Sequence, residues 1–283
     1  MKQKVIAVAG PTASGKTALA IELAHKYNGE IISADSRLVY KGFNIAAAKP
    51  TKEEMQGIPH HLIDIVEPEA DYTAGDYAKD AKKAIEDILS RKKTPIIAGG
   101  TGLYFRVLLE NYDLTQVETD YKLRAELENK TKEELIDELK NKDIEAYKTL
   151  TQSTSKRRII RIIELITTMN KPLSEIEKTK EAEYEVEWIM PEIVSRDWLY
   201  ERINRRVDNM IEQGVIDETK HLLKKHGRIR NFTDTIGYKE LLSYLDGECS
   251  LDEAINKLKQ HTRNYAKRQL TWFRRNPNLK ITI

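Results

Sequence analysis

The sequence contains a single cysteine, Cys249, among its 283 residues. One thiol excludes an internal disulfide framework and leaves a thiolate metal site without its other ligands. We therefore expect no zinc site, and we interpret Cys249 as a small, partly buried residue.

Long apolar runs are also missing. No stretch approaches the roughly 20 apolar residues that a membrane helix needs, and 40% hydrophobic with 33% charged residues is typical of globular proteins. The N-terminus passes from lysines into an apolar run without the small-residue cleavage site of a signal peptide. The sequence therefore predicts a soluble, cytoplasmic protein with no membrane association.

The formal net charge of only +2 hides an uneven distribution. Residues 251–283 hold eight Lys or Arg against two acidic residues, whereas the remainder is slightly acidic. A local excess of basic residues attracts polyanions. Nucleic acid is therefore a candidate partner.

Three short apolar runs, at 4–9, 30–35 and 94–100, are rich in β-branched residues and do not alternate with polar ones. Such runs are typical of strands that are buried on both faces of a parallel sheet. Helical spacing of apolar residues at 18–27 and 75–91 separates them. The alternation predicts a doubly wound α/β core.

The pattern changes after residue 111, where about seventy residues have helical spacing and no strand signal. A strand-like run returns at 186–192, an amphipathic helix follows it, and a short strand is expected at 279–283. We therefore predict an α/β core made of residues 1–111 and 186–283. Residues 112–185 are predicted to form an all-helical insertion domain.

A glycine-rich loop follows the first predicted strand and opens a helix. It fits the P-loop pattern G-x-x-x-x-G-K-[ST] with Gly10, Pro11, Thr12, Ala13, Ser14, Gly15, Lys16 and Thr17. Backbone N–H groups of such a loop, with Lys16 and the helix N-terminus, bind phosphate oxygens, and Thr17 can place its hydroxyl on Mg²⁺. A glycine turn without a ligand does not account for this strand and helix context. We predict a P-loop NTPase-like sheet that binds a diphosphate or triphosphate with Mg²⁺.

Asp35 and Thr101 follow the second and third predicted strands. Ligands of open α/β sheets lie beyond the carboxyl ends of the strands, so both side chains are expected beside the P-loop. Asp35 is a candidate general base, or alternatively a helix N-cap or an outer ligand of the metal. Thr101 could donate to a substrate, cap the following helix, or do both.

Eight blocks of sequence together resemble the tRNA dimethylallyltransferase family, also called IPP transferases, over nearly the whole chain. They are GPTASGKT (10–17), ADSRLVY (34–40), AKPT (48–51), GIPHHLID (57–64), AGGTGLY (98–104), INRRVDNM (203–210), GYKE (237–240) and YAKRQLTWFRR (265–275). The order and spacing of the set are specific, whereas a P-loop alone is shared with many ATP-binding proteins.

The resemblance implies transfer of a dimethylallyl group from dimethylallyl diphosphate to N6 of adenosine at position 37 of tRNA. The P-loop would then hold a diphosphate leaving group with Mg²⁺, and Asp35 would accept the N6 proton with Thr101 beside it. The anticodon stem-loop of tRNA would be the partner, its stacked base being extruded for reaction. We expect the enzyme to act as a monomer.

By position, the tRNA-contacting residues of that family correspond to Asp35, Ser36, Arg37, Leu38, Thr101, Arg124, Arg157, Arg158 and Arg161. Leu38 stands where the family often has Gln, so a base contact there must be apolar or through the backbone. The last three arginines lie on one predicted helix face, for which an ordinary solvated face is the alternative.

Some assignments stay open. Arg202 and Arg206 could face the diphosphate, the RNA or solvent, and Trp272 is expected to pack in the core. A P-loop kinase, a prenyltransferase acting on free AMP, and an RNA-binding factor with a nucleotide switch are the alternative functions.

Overall fold

The computed structural model of the chain describes residues 2–110, 120–176 and 182–282. Internal contacts divide it into two compact units, Met1–Leu109 with Glu183–Ile283, and Glu110–Ala182. The predicted start of the insertion, residue 112, lies outside the described residues. Its predicted end, residue 185, lies instead within the fifth strand of the first unit.

The first unit is built on a six-stranded, all-parallel sheet, which confirms the predicted α/β fold. The strands are β1 (Gln3–Ala9), β2 (Gly29–Ala34), β3 (His60–His61), β4 (Thr94–Gly99), β5 (Tyr184–Pro191) and β6 (Lys280–Thr282). Their order across the sheet is β3-β2-β4-β1-β5-β6. The central strands are buried along most of their length, because helices cover both faces of a parallel sheet.

Helices of this unit follow the strands in the alternation that the sequence predicts. They are α1 (Lys16–Lys26), α2 (Lys52–Met55), α3 (Ala74–Ser90) and α4 (Gly102–Leu109) before the second unit, and α10 (Arg196–Glu212), α11 (Val215–His226), α12 (Arg230–Thr233), α13 (Tyr238–Leu245) and α14 (Leu251–Phe273) after it. In α3, Tyr77, Ala81, Ile85 and Ile88 are buried at spacings of three and four. This spacing puts them on one face, which packs on the sheet.

The carboxyl ends of three neighbouring strands meet at one edge of the sheet. Gly99 at the end of β4 is in register with Ala9 of β1 and with Ala34 of β2. A Cβ on Gly99 would lie 2.1 Å from the carbonyl oxygen of Ala34, so only glycine allows this approach. The residues that follow these strand ends therefore lie side by side. They are Gly10 of the P-loop, Asp35 and Gly100.

The second unit consists of helices over its described residues, α5 (Tyr121–Glu128), α6 (Lys132–Lys142), α7 (Ile144–Lys148), α8 (Lys156–Met169) and α9 (Leu173–Ile176). Leucine and isoleucine side chains of these helices form its own core. Helix α8 contributes most, with Ile159, Ile162, Ile163 and Ile166 buried on one face. The unit thus has the apolar stripe that a helical bundle requires.

Across the described ranges, no helix is long and apolar enough to cross a membrane.

Candidate active site

The glycine-rich loop has the geometry of a phosphate cradle. Gly15 adopts φ 95°, a left-handed conformation that favours glycine, and α1 begins at the next residue. The Lys16 ammonium donates to the carbonyl of Pro11 at 2.8 Å, which closes the loop around its own side chain. The Oγ of Ser14 is buried without a protein hydrogen-bond partner. The loop therefore offers a cation, a helix N-terminus and an unused hydroxyl to an anion.

A cavity of about 410 Å³ opens at the carboxyl edge of the sheet. The P-loop lines it with Thr12, Lys16 and Thr17, and the segment after β2 lines it with Asp35 and its three successors. Every predicted site residue from 35 to 38 thus faces the same space as the loop.

Asp35 and Thr101 are held by backbone amides of the segment after β2. The Oδ1 of Asp35 accepts from the amide of Arg37 at 2.8 Å, and the Thr101 hydroxyl accepts from the amide of Ser36 at 3.1 Å. The Thr101 amide in turn donates to Ala34 at 3.1 Å. Asp35 and Thr101 are thus both attached to the same short segment of backbone. Neither hydrogen bond uses Oδ2 of Asp35.

Tyr265 of α14 lines the same cavity as Asp35. Burial raises the pKa of Tyr265 to about 12, and an interaction with Thr101 opposes this shift. The tyrosine therefore remains a neutral hydrogen-bonding group at physiological pH.

Two cations face the carboxylate across the cavity. Burial, and then the charge of Arg206, lowers the pKa of Lys16 to about 8, while Asp35 acts in the opposite direction. Burial also lowers the pKa of Arg206, again opposed by Asp35. The phosphate oxygens of a diphosphate would neutralise two such desolvated cations. Arg206 lines the same cavity as the P-loop residues Lys16 and Thr17.

The donors of the cavity suit a small hard cation. Thr17 supplies a hydroxyl oxygen, which is a ligand type that suits Mg²⁺, and the carboxylate of Asp35 adds negative charge to the same cavity. No group of three or more His, Cys, Asp or Glu that could hold a metal occurs among the described residues. The chain can therefore supply part of an oxygen shell that phosphate and water would complete, as is usual for Mg²⁺.

Part of the cavity wall is apolar, and this part includes Ala46, Ala47, Ile63, Val207 and Met210. Alanine side chains leave space that larger residues would fill. This part of the cavity can accept a short branched hydrocarbon.

In the helical unit, Arg124 and Arg161 share a buried carboxylate. Arg124 donates to both oxygens of Glu164, at 2.5 and 2.7 Å, and Arg161 donates to one at 3.3 Å. Arg157 and Arg158, at the start of α8, are exposed. The predicted helix for the three arginines is confirmed, and their contact with tRNA stays a prediction.

Two side chains were missed or left undecided by sequence reasoning. The sequence left open whether Arg206 faces the diphosphate, the RNA or solvent, and it assigned no role to Gln269. Gln269 is the polar member of an otherwise apolar series of buried positions on α14, and that break in the stripe is the signal that could have revealed it.

Trp272 contradicts the expectation that it packs in the core, since it is 38% exposed. Its ring lies against Gly102, where an added Cβ would come within 2.3 Å of the indole. The indole covers backbone of α4 with one part of its surface and leaves the rest open to solvent.

Comparison with known proteins identifies relatives over the whole chain. The model of the IPP transferase family matches residues 38–276. A tRNA dimethylallyltransferase of Oceanobacillus iheyensis is 42% identical over 286 residues, which cover 99% of this chain and 91% of that protein.

Two solved structures are similar to this chain over nearly its whole length. A full-length tRNA isopentenylpyrophosphate transferase from Bacillus halodurans is 41% identical with a TM-score of 0.75, over 99% of this chain and 90% of that one. A eukaryotic dimethylallyltransferase acting on tRNA is 30% identical with a TM-score of 0.83, over 96% of this chain and 70% of that one.

Proposed function

This chain belongs to the IPP transferase family, and on that premise we propose that it transfers a dimethylallyl group from dimethylallyl diphosphate to N6 of adenosine 37 in tRNA. The observation that carries the proposal is one cavity that joins a P-loop, a carboxylate and an apolar wall. A phosphoryl-transfer enzyme needs the first two, and an apolar wall beside them suits a diphosphate that carries a hydrocarbon.

The diphosphate binds at the P-loop in this mechanism. Lys16, Arg206 and the loop amides compensate the negative charge that grows on the leaving group as the C1–O bond breaks. Mg²⁺ on Thr17, when bound, would add further charge compensation. The dimethylallyl group lies along the apolar wall, which also keeps water from C1.

Asp35 is the base. As N6 of the adenosine bonds to C1, its proton passes to the carboxylate, which the amide of Arg37 holds in place. Thr101, held by the amide of Ser36, is the neighbouring hydrogen-bonding group for the base edge. The arginines of the helical unit, Arg157 and Arg158 in particular, would contact RNA phosphates.

The activity is tested by incubating the protein with an unmodified tRNA transcript, radiolabelled dimethylallyl diphosphate and Mg²⁺. We expect labelled N6-dimethylallyladenosine after nuclease digestion, with one diphosphate released per modified base. A transcript with guanosine at position 37 is the matched control and should stay unlabelled. Label entering AMP but not tRNA, or phosphoryl transfer from ATP, would contradict the proposal.

The role of Asp35 is tested with Asp35→Asn, which keeps an acceptor for the Arg37 amide but removes the base. We expect kcat to fall by about 10²- to 10⁴-fold, the usual value of a general base, with little change in tRNA binding. Asp234→Asn, which changes a second carboxylate of the same cavity, is the matched control. Equal losses in both variants would show that cavity charge, and not proton transfer, is responsible.

A further inference from the structure

Helix α14 carries a buried amide side chain in its apolar face. Gln269 is only 5% exposed and lines the cavity, while the other buried residues of the helix are apolar. Burial of an amide is costly unless its donor and acceptor are both used. The partners of Gln269 therefore indicate why it is there.

Each end of the amide bonds to a different loop of the active site. Oε1 accepts from the backbone amide of Thr12 in the P-loop at 2.9 Å. Nε2 donates to the carbonyl of Gly100, directly after β4, also at 2.9 Å. A Cβ on Gly100 would lie 2.1 Å from Nε2, so this loop approaches the amide as closely as glycine permits.

The two loops support different reacting groups, the diphosphate and the general base. Thr12 belongs to the loop that receives the diphosphate. Gly100 precedes Thr101, whose hydroxyl accepts from Ser36 next to the base Asp35. One side chain thus connects the support of the leaving group to the support of the base.

We propose that Gln269 is a positioning residue that keeps the diphosphate cradle in register with Asp35 and Thr101. The inference rests on the proposed function. In transfer, the C1–N6 bond forms as the C1–O bond breaks, the N6 proton passes to Asp35 and diphosphate leaves. A misplacement of about 1 Å between such partners can cost on the order of 10²-fold in rate.

A loss of alignment between N6 and C1 changes which products form. When N6 is displaced from C1, water can take its place: its oxygen bonds to C1, a proton is released, and the products are dimethylallyl alcohol and diphosphate. The ratio of alcohol to modified tRNA therefore reports alignment. A simple loss of folded protein lowers both products together and leaves their ratio unchanged.

The test compares Gln269→Leu, which removes both hydrogen bonds, with Gln269→Glu, which keeps the acceptor for Thr12 and loses the donor for Gly100. Gln260→Leu and Gln260→Glu, at an exposed position of the same helix, are the matched controls. For both Gln269 variants we expect kcat to fall by about tenfold to a hundredfold, a raised alcohol ratio, and little change in either KM. The controls should behave as wild type.

Gly100→Ala perturbs the same contact from the other side, because its Cβ displaces the amide without removing it. It should raise the alcohol ratio as well, and it carries the test if a Gln269 variant does not fold. An unchanged ratio in the folded variants, or losses that only follow the folded fraction in thermal unfolding, would overturn the inference. Failure of the wild type to label tRNA would instead overturn the proposed function.

Discussion

The buried carboxylate of Glu164 is expected to stabilise the helical unit, and Glu164→Ala tests this directly. The Glu164 side chain is 2% exposed, whereas those of Arg124 and Arg161 are 32% and 34% exposed. Removing the carboxylate breaks two hydrogen bonds from Arg124 and one from Arg161.

The magnitude follows from this geometry. Removing one partner of a buried ion pair usually costs about 3–5 kcal/mol. Because both arginines are about one-third exposed, water can replace part of the lost interaction. We therefore expect the free energy of unfolding of the helical unit to fall by about 3 kcal/mol, the lower end of that range.

The tryptophans of the chain allow the two units to be followed separately in urea. All three, Trp188, Trp198 and Trp272, belong to the first unit, so their fluorescence reports its unfolding. Circular dichroism at the helix band reports both units. Glu164→Ala should shift the dichroism transition to lower urea and leave the fluorescence transition nearly in place.

Glu145→Ala is the matched control, because Glu145 pairs with Lys148 on the surface of the same unit. An exposed pair of this kind contributes at most about 0.5 kcal/mol. Equal shifts for the two variants would refute the reasoning that burial makes Glu164 important. We also expect Glu164→Ala to weaken tRNA binding, since Arg124 and Arg161 both lose their hydrogen bonds to this carboxylate.

Two further predictions concern the sheet. Gly99→Ala should lower the free energy of unfolding, measured in urea, by about 3 kcal/mol or more, since its Cβ meets the backbone of Ala34. Gly75→Ala, in the first turn of α3, should be tolerated. A wild-type midpoint for Gly99→Ala would refute the close packing. The Arg91 guanidinium, above all, holds the pKa of buried Glu30 well below its ordinary 4.5, so its stabilisation is present above that pH and is lost as pH falls towards the folded pKa. Glu30→Gln should therefore be less stable than wild type at neutral pH and approach it in acid, and a difference that widened in acid would contradict the sign.

Much of the fold could be predicted because its signals are local. Runs of β-branched residues at 4–9, 30–35 and 94–100 became β1, β2 and β4 within a residue or so of their expected ends. The two-residue strand β3 was not predicted, since His60 and His61 are too few to show any periodicity. Their neighbouring strand holds them in the sheet through Ile31 and Ile32.

The candidate site was predictable in the parts that follow strands. Asp35 and Thr101 were expected beside the P-loop because carboxyl ends of parallel strands share an edge, and the structure places Asp35 on the cavity with the loop. Trp272 was assigned wrongly because residue type reports average burial and not the particular surface against which a ring packs.

The sequence by itself determined the phosphate loop, the order of the longer strands and helices along the chain, and the family to which it belongs. Those features depend on residues close together in the chain, whose spacing dictates local conformation. Only the tertiary structure decided that Gln269 bonds to Thr12 and Gly100, which precede it by 257 and 169 residues. Such contacts depend on how helices pack on the finished sheet, and no local pattern specifies which loop a given side chain will meet.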